Sequence, residues 1–132
     1  MKVLALDYGS ARTGVAVSDP TGTVARPLCV VERAGTDDGL SRLAELIADE
    51  SAERVVVGLP LTLRGARGAQ ARETEAFVEA LRSRTDVPVD TFDERFTTDL
   101  AERNEAARSA EDARAAAHLL SSYLAWSSGA PA

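Results

Sequence analysis

The stretch VLALDYGSARTGVAVS, residues 3–18, decides how this chain is read. Val3, Leu4, Ala5 and Leu6 form an apolar run suited to a buried strand, and the run ends on the carboxylate of Asp7. The short turn YGSAR (8–12) follows, and a second run extends from Thr13 to Ser18. Together they predict a hairpin, with Gly9 in a backbone conformation that other residues avoid. A period of two puts Asp7 on the same face as Val3 and Ala5, along a largely buried surface. A turn-forming aspartate at a strand end is the bland explanation. A buried acid, however, needs a partner or a cation.

Reading outward from this hairpin, DPTG (19–22) is a second turn and leads into a third strand near Ala25 to Glu32. Pro27 favours an edge position for that strand. TDD (36–38) caps a helix from about Gly39 to Glu50, whose Leu40, Leu43, Ala44 and Ile47 fall on one stripe. RVVVGLPL (54–61) is an unbroken apolar run, as expected of a central strand covered on both faces. The loop TLRGARG (62–68) precedes a second helix from about Ala69 to Arg84, with Thr74, Phe77, Val78 and Leu81 on its inner face. VPVDTFDE (87–94) is a fifth strand. Helices from about Thr98 to Asn104 and Ala110 to Trp126 complete the chain, with a flexible tail over 127–132. Three antiparallel strands followed by βαβ crossovers predict one α/β domain over residues 1–126, a mixed five-stranded sheet flanked by helices.

A chain of 132 residues is large enough for one real core and too small for two ordinary ones. Its net charge of −6 argues against broad, sequence-blind nucleic-acid binding, although a local arginine patch can coexist with an acidic remainder. Lys2 is the one lysine, and arginine is the better bidentate partner for phosphate. Cys29, inside RPLCVVE, has no cysteine to pair with and reads as a buried apolar residue. With no leader pattern and no apolar run of membrane-spanning length, a cytoplasmic location is expected.

Two more acidic positions stand out. Asp93 and Glu94 end strand five as Asp7 ends strand one, and they also suit a helix approach capped by Thr97 or Thr98. Asp112 follows Ser109 at capping-box spacing, yet it shares a stripe with Ala115, Ala116, Leu119 and Tyr123, the face that packs on the sheet. Carboxylates converging without histidine or cysteine point to a hard cation, Mg2+ or Mn2+. Two such ions roughly 4 Å apart activate a water and stabilise the leaving oxygen in phosphodiester cleavage. A structural acid cluster has the same spacing. His118 falls with Arg114 and Ser122 on the opposite face of the last helix and reads as a surface histidine, while Tyr123 and Trp126 read as packing residues.

DYGSARTGVAVSD (7–19), VVVGLPL (55–61), GARGAQA (65–71), FDERFTT (92–98) and Asp112 followed by AAAHLLSSYL (115–124) together resemble the YqgF/RuvX family. These are bacterial RNase H-like nucleases, described as pre-16S rRNA nucleases and earlier as Holliday junction resolvase-like. The match runs in order over nearly the whole chain. The resemblance implies an RNase H-like fold, a metal-dependent site and maturation of the 5′ end of precursor 16S rRNA. Carried over residue by residue, the family's acids fall on Asp7, Asp93, Glu94 and Asp112 as catalytic metal ligands; which of Asp93 and Glu94 faces the metal is open. Its substrate contacts fall on Arg12, Arg95 and Thr97, and its glycine-rich loop on Gly65 to Gln70, beside Arg64, Arg67 and Arg72. Two features depart from the family pattern. Ala69 stands where a proline is common, and the short acidic NEAARSAED (104–112) replaces a longer basic segment.

The leading expectation is therefore a metal-dependent nuclease acting on precursor 16S rRNA, alone or within pre-ribosomal particles, as a monomer or weak homodimer. A Holliday junction resolvase would use the same chemistry on branched DNA, but with two sites presented by a dimer. A non-catalytic ribosome-assembly factor would keep the fold and the RNA contacts. DYGSARTG also resembles the phosphate turn of actin-like kinases, which need a second lobe that this length does not supply.

Overall fold

A computed structural model describes residues 1–61, 65, 66, 68–94 and 108–127. The strands are β1 (Val3–Asp7), β2 (Arg12–Ser18), β3 (Ala25–Glu32), β4 (Arg54–Leu59) and β5 (Val89–Asp93). The helices are α1 (Asp37–Asp49), α2 (Ala69–Arg82) and α3 (Arg108–Ser127). The sheet order is β3-β2-β1-β4-β5. β2 pairs antiparallel with β1 and β3, whereas β4 pairs parallel with β1 and β5. The mixed five-stranded sheet is the expected one, and β3, with Pro27, is an edge strand. The expected helix over 98–104 lies outside the described residues, as do residues 128–132 of the expected tail.

Alternation along the strands divides the core in two. Leu4, Leu6, Val15, Val55 and Val57 face α1 and α2 and meet Leu40, Leu43, Ile47, Phe77, Val78 and Leu81. Val3, Ala5, Ala16, Val56 and Phe92 face the other way and meet Ala116, Leu119, Leu120, Tyr123 and Leu124 of α3. The first face is built from large aliphatic side chains. The second is built around paired alanines, Ala5 opposite Ala16, which lets a helix come close to the strands. α1 is capped by Thr36, whose hydroxyl accepts from the Gly39 N–H at 3.2 Å, and it begins at Asp37, two residues before the expected start.

Three local expectations change. Gly9 is not left-handed: among the described glycines only Gly22 and Gly65 have positive φ, at 71° and 81°. It is needed for space instead, since a Cβ there would stand 2.5 Å from the Arg12 carbonyl oxygen. α3 is already helical at Arg108, two residues before the expected start at Ala110. Trp126 is 62% exposed and leans on Phe92 and Tyr123 from outside rather than packing within the core. Cys29 is partly buried against the α1 side, where burial raises its thiol pKa. No helix among the described residues is long and apolar enough to cross a membrane.

Because Leu43 is fully buried between α1 and the sheet, Leu43→Ala is expected to destabilise the protein by about 2–5 kcal/mol in urea unfolding. A loss well below about 1 kcal/mol would show that this face can collapse around the cavity.

Candidate active site

β1, β4 and β5 run parallel and end on the same side of the sheet, the position where open α/β sheets bind ligands. Asp7 is the last residue of β1 and lies partly buried on the α3 side, in line with Val3 and Ala5. Its partner on β2 is Gly14. On β4, the step that takes Leu6 to Asp7 takes Leu6's partner Val57 to Gly58. Asp7 is thus flanked by two positions without side chains.

Each of those bare positions is covered by a piece of the site. A Cβ on Gly14 would fall 1.8 Å from the backbone oxygen of Asp112, so α3 rests on the glycine at the turn that carries its acid. A Cβ on Gly58 would fall 2.6 Å from Glu94 Oε1 and 2.9 Å from its Cγ, so the Glu94 side chain lies over the second glycine. Asp7, Glu94 and Asp112 line one cleft of about 530 Å³, together with Arg12, Gln70 and the 8–11 turn. Strand periodicity separates the two acids that the sequence left equivalent. Val89 packs toward α1 and α2, and Asp93 falls on that face. Phe92 packs toward α3, and Glu94 follows it into the cleft.

Asp112 is 8% exposed, and Arg12 donates to it: Nε to Oδ2 is 3.0 Å. A carboxylate this deep needs such a partner. The family pattern put Arg12 on phosphate, and the structure places it on an acid of the cleft, which it also lines. Nothing local in the sequence signals this pair, because its members are 100 positions apart. The turn between β1 and β2 is braced by Thr13, fully buried, whose hydroxyl donates to the Gly9 carbonyl and accepts from its N–H, both at 3.4 Å. Tyr8, also at the cleft wall, stacks on Phe77 with ring centroids 4.3 Å apart and donates its hydroxyl to Glu73 Oε1 at 3.3 Å. Burial first, and then the Glu73 charge, raise its phenol pKa.

Arg72 sits exposed in the first turn of α2, whose contribution to the cleft wall is Gln70. Arg64, Arg67, Arg95 and Thr97 lie outside the described residues. Sequence reasoning also missed Gly14 and Gly58, whose signal was two glycines inside strands at the level of an acid. The chemistry of the donors fits a hard divalent cation: three carboxylates from three elements, with oxygen atoms throughout. They share the cleft without closing into a cage. Among the described residues, no three histidine, cysteine or acidic side chains are grouped so that they could hold an ion together.

The family model described as RuvX, Holliday junction resolvase, matches residues 1–126. A protein of Desulforudis audaxviator named as a candidate pre-16S rRNA nuclease is 42% identical, over 94% of this chain and 94% of its own length. Counterparts of the same name from Syntrophomonas wolfei and an Anaeromyxobacter species are 37% and 40% identical, each over 94% of this chain and over 94% and 96% of their own lengths. Among solved structures, Thermus thermophilus RuvC superposes with a TM-score of 0.63 at 20% identity, covering 98% of this chain and 97% of that one. That likeness shows the fold, which is RNase H-like.

The two glycines lead to separate expectations. Gly14→Ala meets helix backbone and should cost about 1–3 kcal/mol in urea unfolding. Gly58→Ala meets mainly a side chain and should cost less, while weakening Mn2+ binding by calorimetry as Glu94 is pushed aside. Equal costs with unchanged metal binding would contradict this packing. Tyr8 gives a pH expectation. Its raised folded pKa contributes stability below the unfolded value of about 10, lost as pH rises through the folded value. Tyr8→Phe should therefore flatten the alkaline decline in melting temperature, and an unchanged decline would show that the phenol is unshifted.

Proposed function

This chain belongs to the RuvX family, and we propose that it is a metal-dependent nuclease that hydrolyses phosphodiester bonds in precursor 16S rRNA in the cytoplasm. The observation that carries the reading is the seating of Asp112 and Glu94 over the two glycines beside Asp7, which brings three carboxylates to one cleft. Drawn together around an ion, these oxygen donors, two at strand ends and one on α3, would hold Mg2+ or Mn2+ through Asp7, Glu94 and Asp112. Bound there, the ions would supply positive charge to activate a water and to stabilise the leaving oxygen.

The chain's own residues do the rest. Asp7, fixed by its strand and by the turn braced through Thr13, is the rigid member of the set. Asp112 is held in place by Arg12, whose remaining N–H groups are available to a substrate phosphate at the same wall. Arg64, Arg67, Arg72, Arg95 and Thr97 are assigned to the substrate backbone on the family pattern. Asp93, on the other face of β5, serves the strand end and leaves the ligand role to Glu94.

RNA is preferred over a DNA junction because the relatives near 40% identity carry the rRNA name, whereas the RuvC likeness at 20% reports fold alone. The family description itself, Holliday junction resolvase, supports the second reading. Both are separated by one assay: 5′-extended 16S precursor and a four-way DNA junction, each with Mg2+, Mn2+ or a chelator. The precursor should be cut only with metal, and Asp7→Asn should slow cutting on the order of 100-fold or more. Cutting of the junction alone would overturn the substrate, and full activity of Asp7→Asn would overturn the site.

A further inference from the structure

On the far side of the β1–β2 turn lies a second groove, of about 520 Å³, lined by Tyr8, Ser10, Ala11, Arg33, Gly35 and Glu73 among others. Tyr8, Ser10 and Ala11 also line the acid cleft, so the two hollows share the turn as a common wall. The groove exists because of how the chain leaves β3. Arg33 takes a left-handed conformation with φ of 47°, uncommon for a residue with a side chain, and its N–H donates to the Ala11 carbonyl at 3.0 Å. That bond ties the end of β3 to the turn of the catalytic hairpin. Gly35 then leaves space above the Tyr8 hydroxyl, which a Cβ there would approach to 3.4 Å.

Three kinds of chemistry meet in this hollow. Arg33 is an exposed cation, Glu73 an exposed carboxylate, and Tyr8 a ring held by its stack on Phe77 and by its bond to Glu73. A pure phosphate site would not carry Glu73, and a pure apolar pocket would carry neither charge. A nucleotide satisfies both: its phosphate pairs with arginine, and its base edge offers N–H donors to a carboxylate. The volume falls within the usual range for small-molecule pockets, about 300–1,000 Å³.

We propose that this groove is a subsite for one unpaired nucleotide of the substrate strand, next to the cleavage point, with its phosphate on Arg33 and its base edge on Glu73 beside Tyr8. The inference deepens the nuclease reading above and rests on it for the direction of the strand. Unpaired bases are the ones a protein can read in RNA. Glu73 favours bases with an exocyclic amine (adenine, cytosine and guanine) over uracil.

The test is fluorescence anisotropy of labelled oligo-A, oligo-C and oligo-U RNA without divalent cation, followed by steady-state cleavage of the same RNAs with Mn2+. The wild type is expected to bind oligo-A and oligo-C several-fold more tightly than oligo-U. Arg33→Gln should weaken all three alike, by roughly 5–10-fold, and flatten the salt dependence by about 0.7 in log–log slope, one phosphate contact on a single strand. It should raise KM by a similar factor with kcat unchanged, and Arg33→Lys should recover part of the loss. Glu73→Gln should reduce the preference over oligo-U with little change in mean affinity. Both side chains are exposed, so thermal melts of the variants should match the wild type. Wild-type affinity and salt slope in Arg33→Gln, or an undiminished base preference in Glu73→Gln, would overturn the subsite, as would a wild type that binds none of the RNAs. A wild type that binds them with the expected preferences but cuts neither them nor the 5′-extended 16S precursor would instead overturn the nuclease reading, and the binding comparison would still decide the groove.

Discussion

The absence of a side chain at Gly14 and at Gly58, on either side of Asp7, is the constraint from which the site follows. A methyl group at either position would occupy space now filled by the Asp112 backbone or by the Glu94 side chain. The sheet therefore holds one acid in its own strand and leaves vacancies on both sides for acids brought from elsewhere. Helix α3 can descend onto the strands only because of the first vacancy, and the end of β5 can fold over β4 only because of the second. Arg12 then fastens the helix at its acid, from the strand that carries Gly14.

This arrangement explains the contrast between the two faces of the sheet. Toward α1 and α2, fully buried Leu4, Leu6, Leu43 and Leu81 supply large apolar contacts. Toward α3, Ala5, Ala16 and Ala116 keep the helix close at the expense of apolar volume. The face that stabilises the fold and the face that shapes the cleft are thus built from different residue sizes.

How much of this was legible depended on whether the signal was periodic. VLALD alternates cleanly, so both β1 and the buried aspect of Asp7 could be read from it, and the stripe of α3 gave Asp112 in the same way. At the end of β5, Asp93 and Glu94 are adjacent, and neighbouring acids look alike until the parity of Phe92 is known from its packing. The Arg12–Asp112 pair could not be read at all, since it depends on which turn of a distant helix meets the hairpin. Gly9 showed the opposite failure. A turn glycine suggested a backbone requirement, where the structure has a steric one. The loop arginines fall where the structure gives no account, so their assignment still stands on the family pattern alone.

The ion pair between Arg12 and Asp112 has a consequence in time. One partner is made near the start of synthesis and the other 100 residues later, on the helix that completes the sheet's second face. A nascent chain can form β1 to β5 and the α1–α2 core while its cleft still lacks a wall and one of its three acids. The cleft is therefore incomplete until the last helix docks. The chain leaves the ribosome with this cleft unassembled, and gains its third acid only when Asp112 and the helix around it are free to fold.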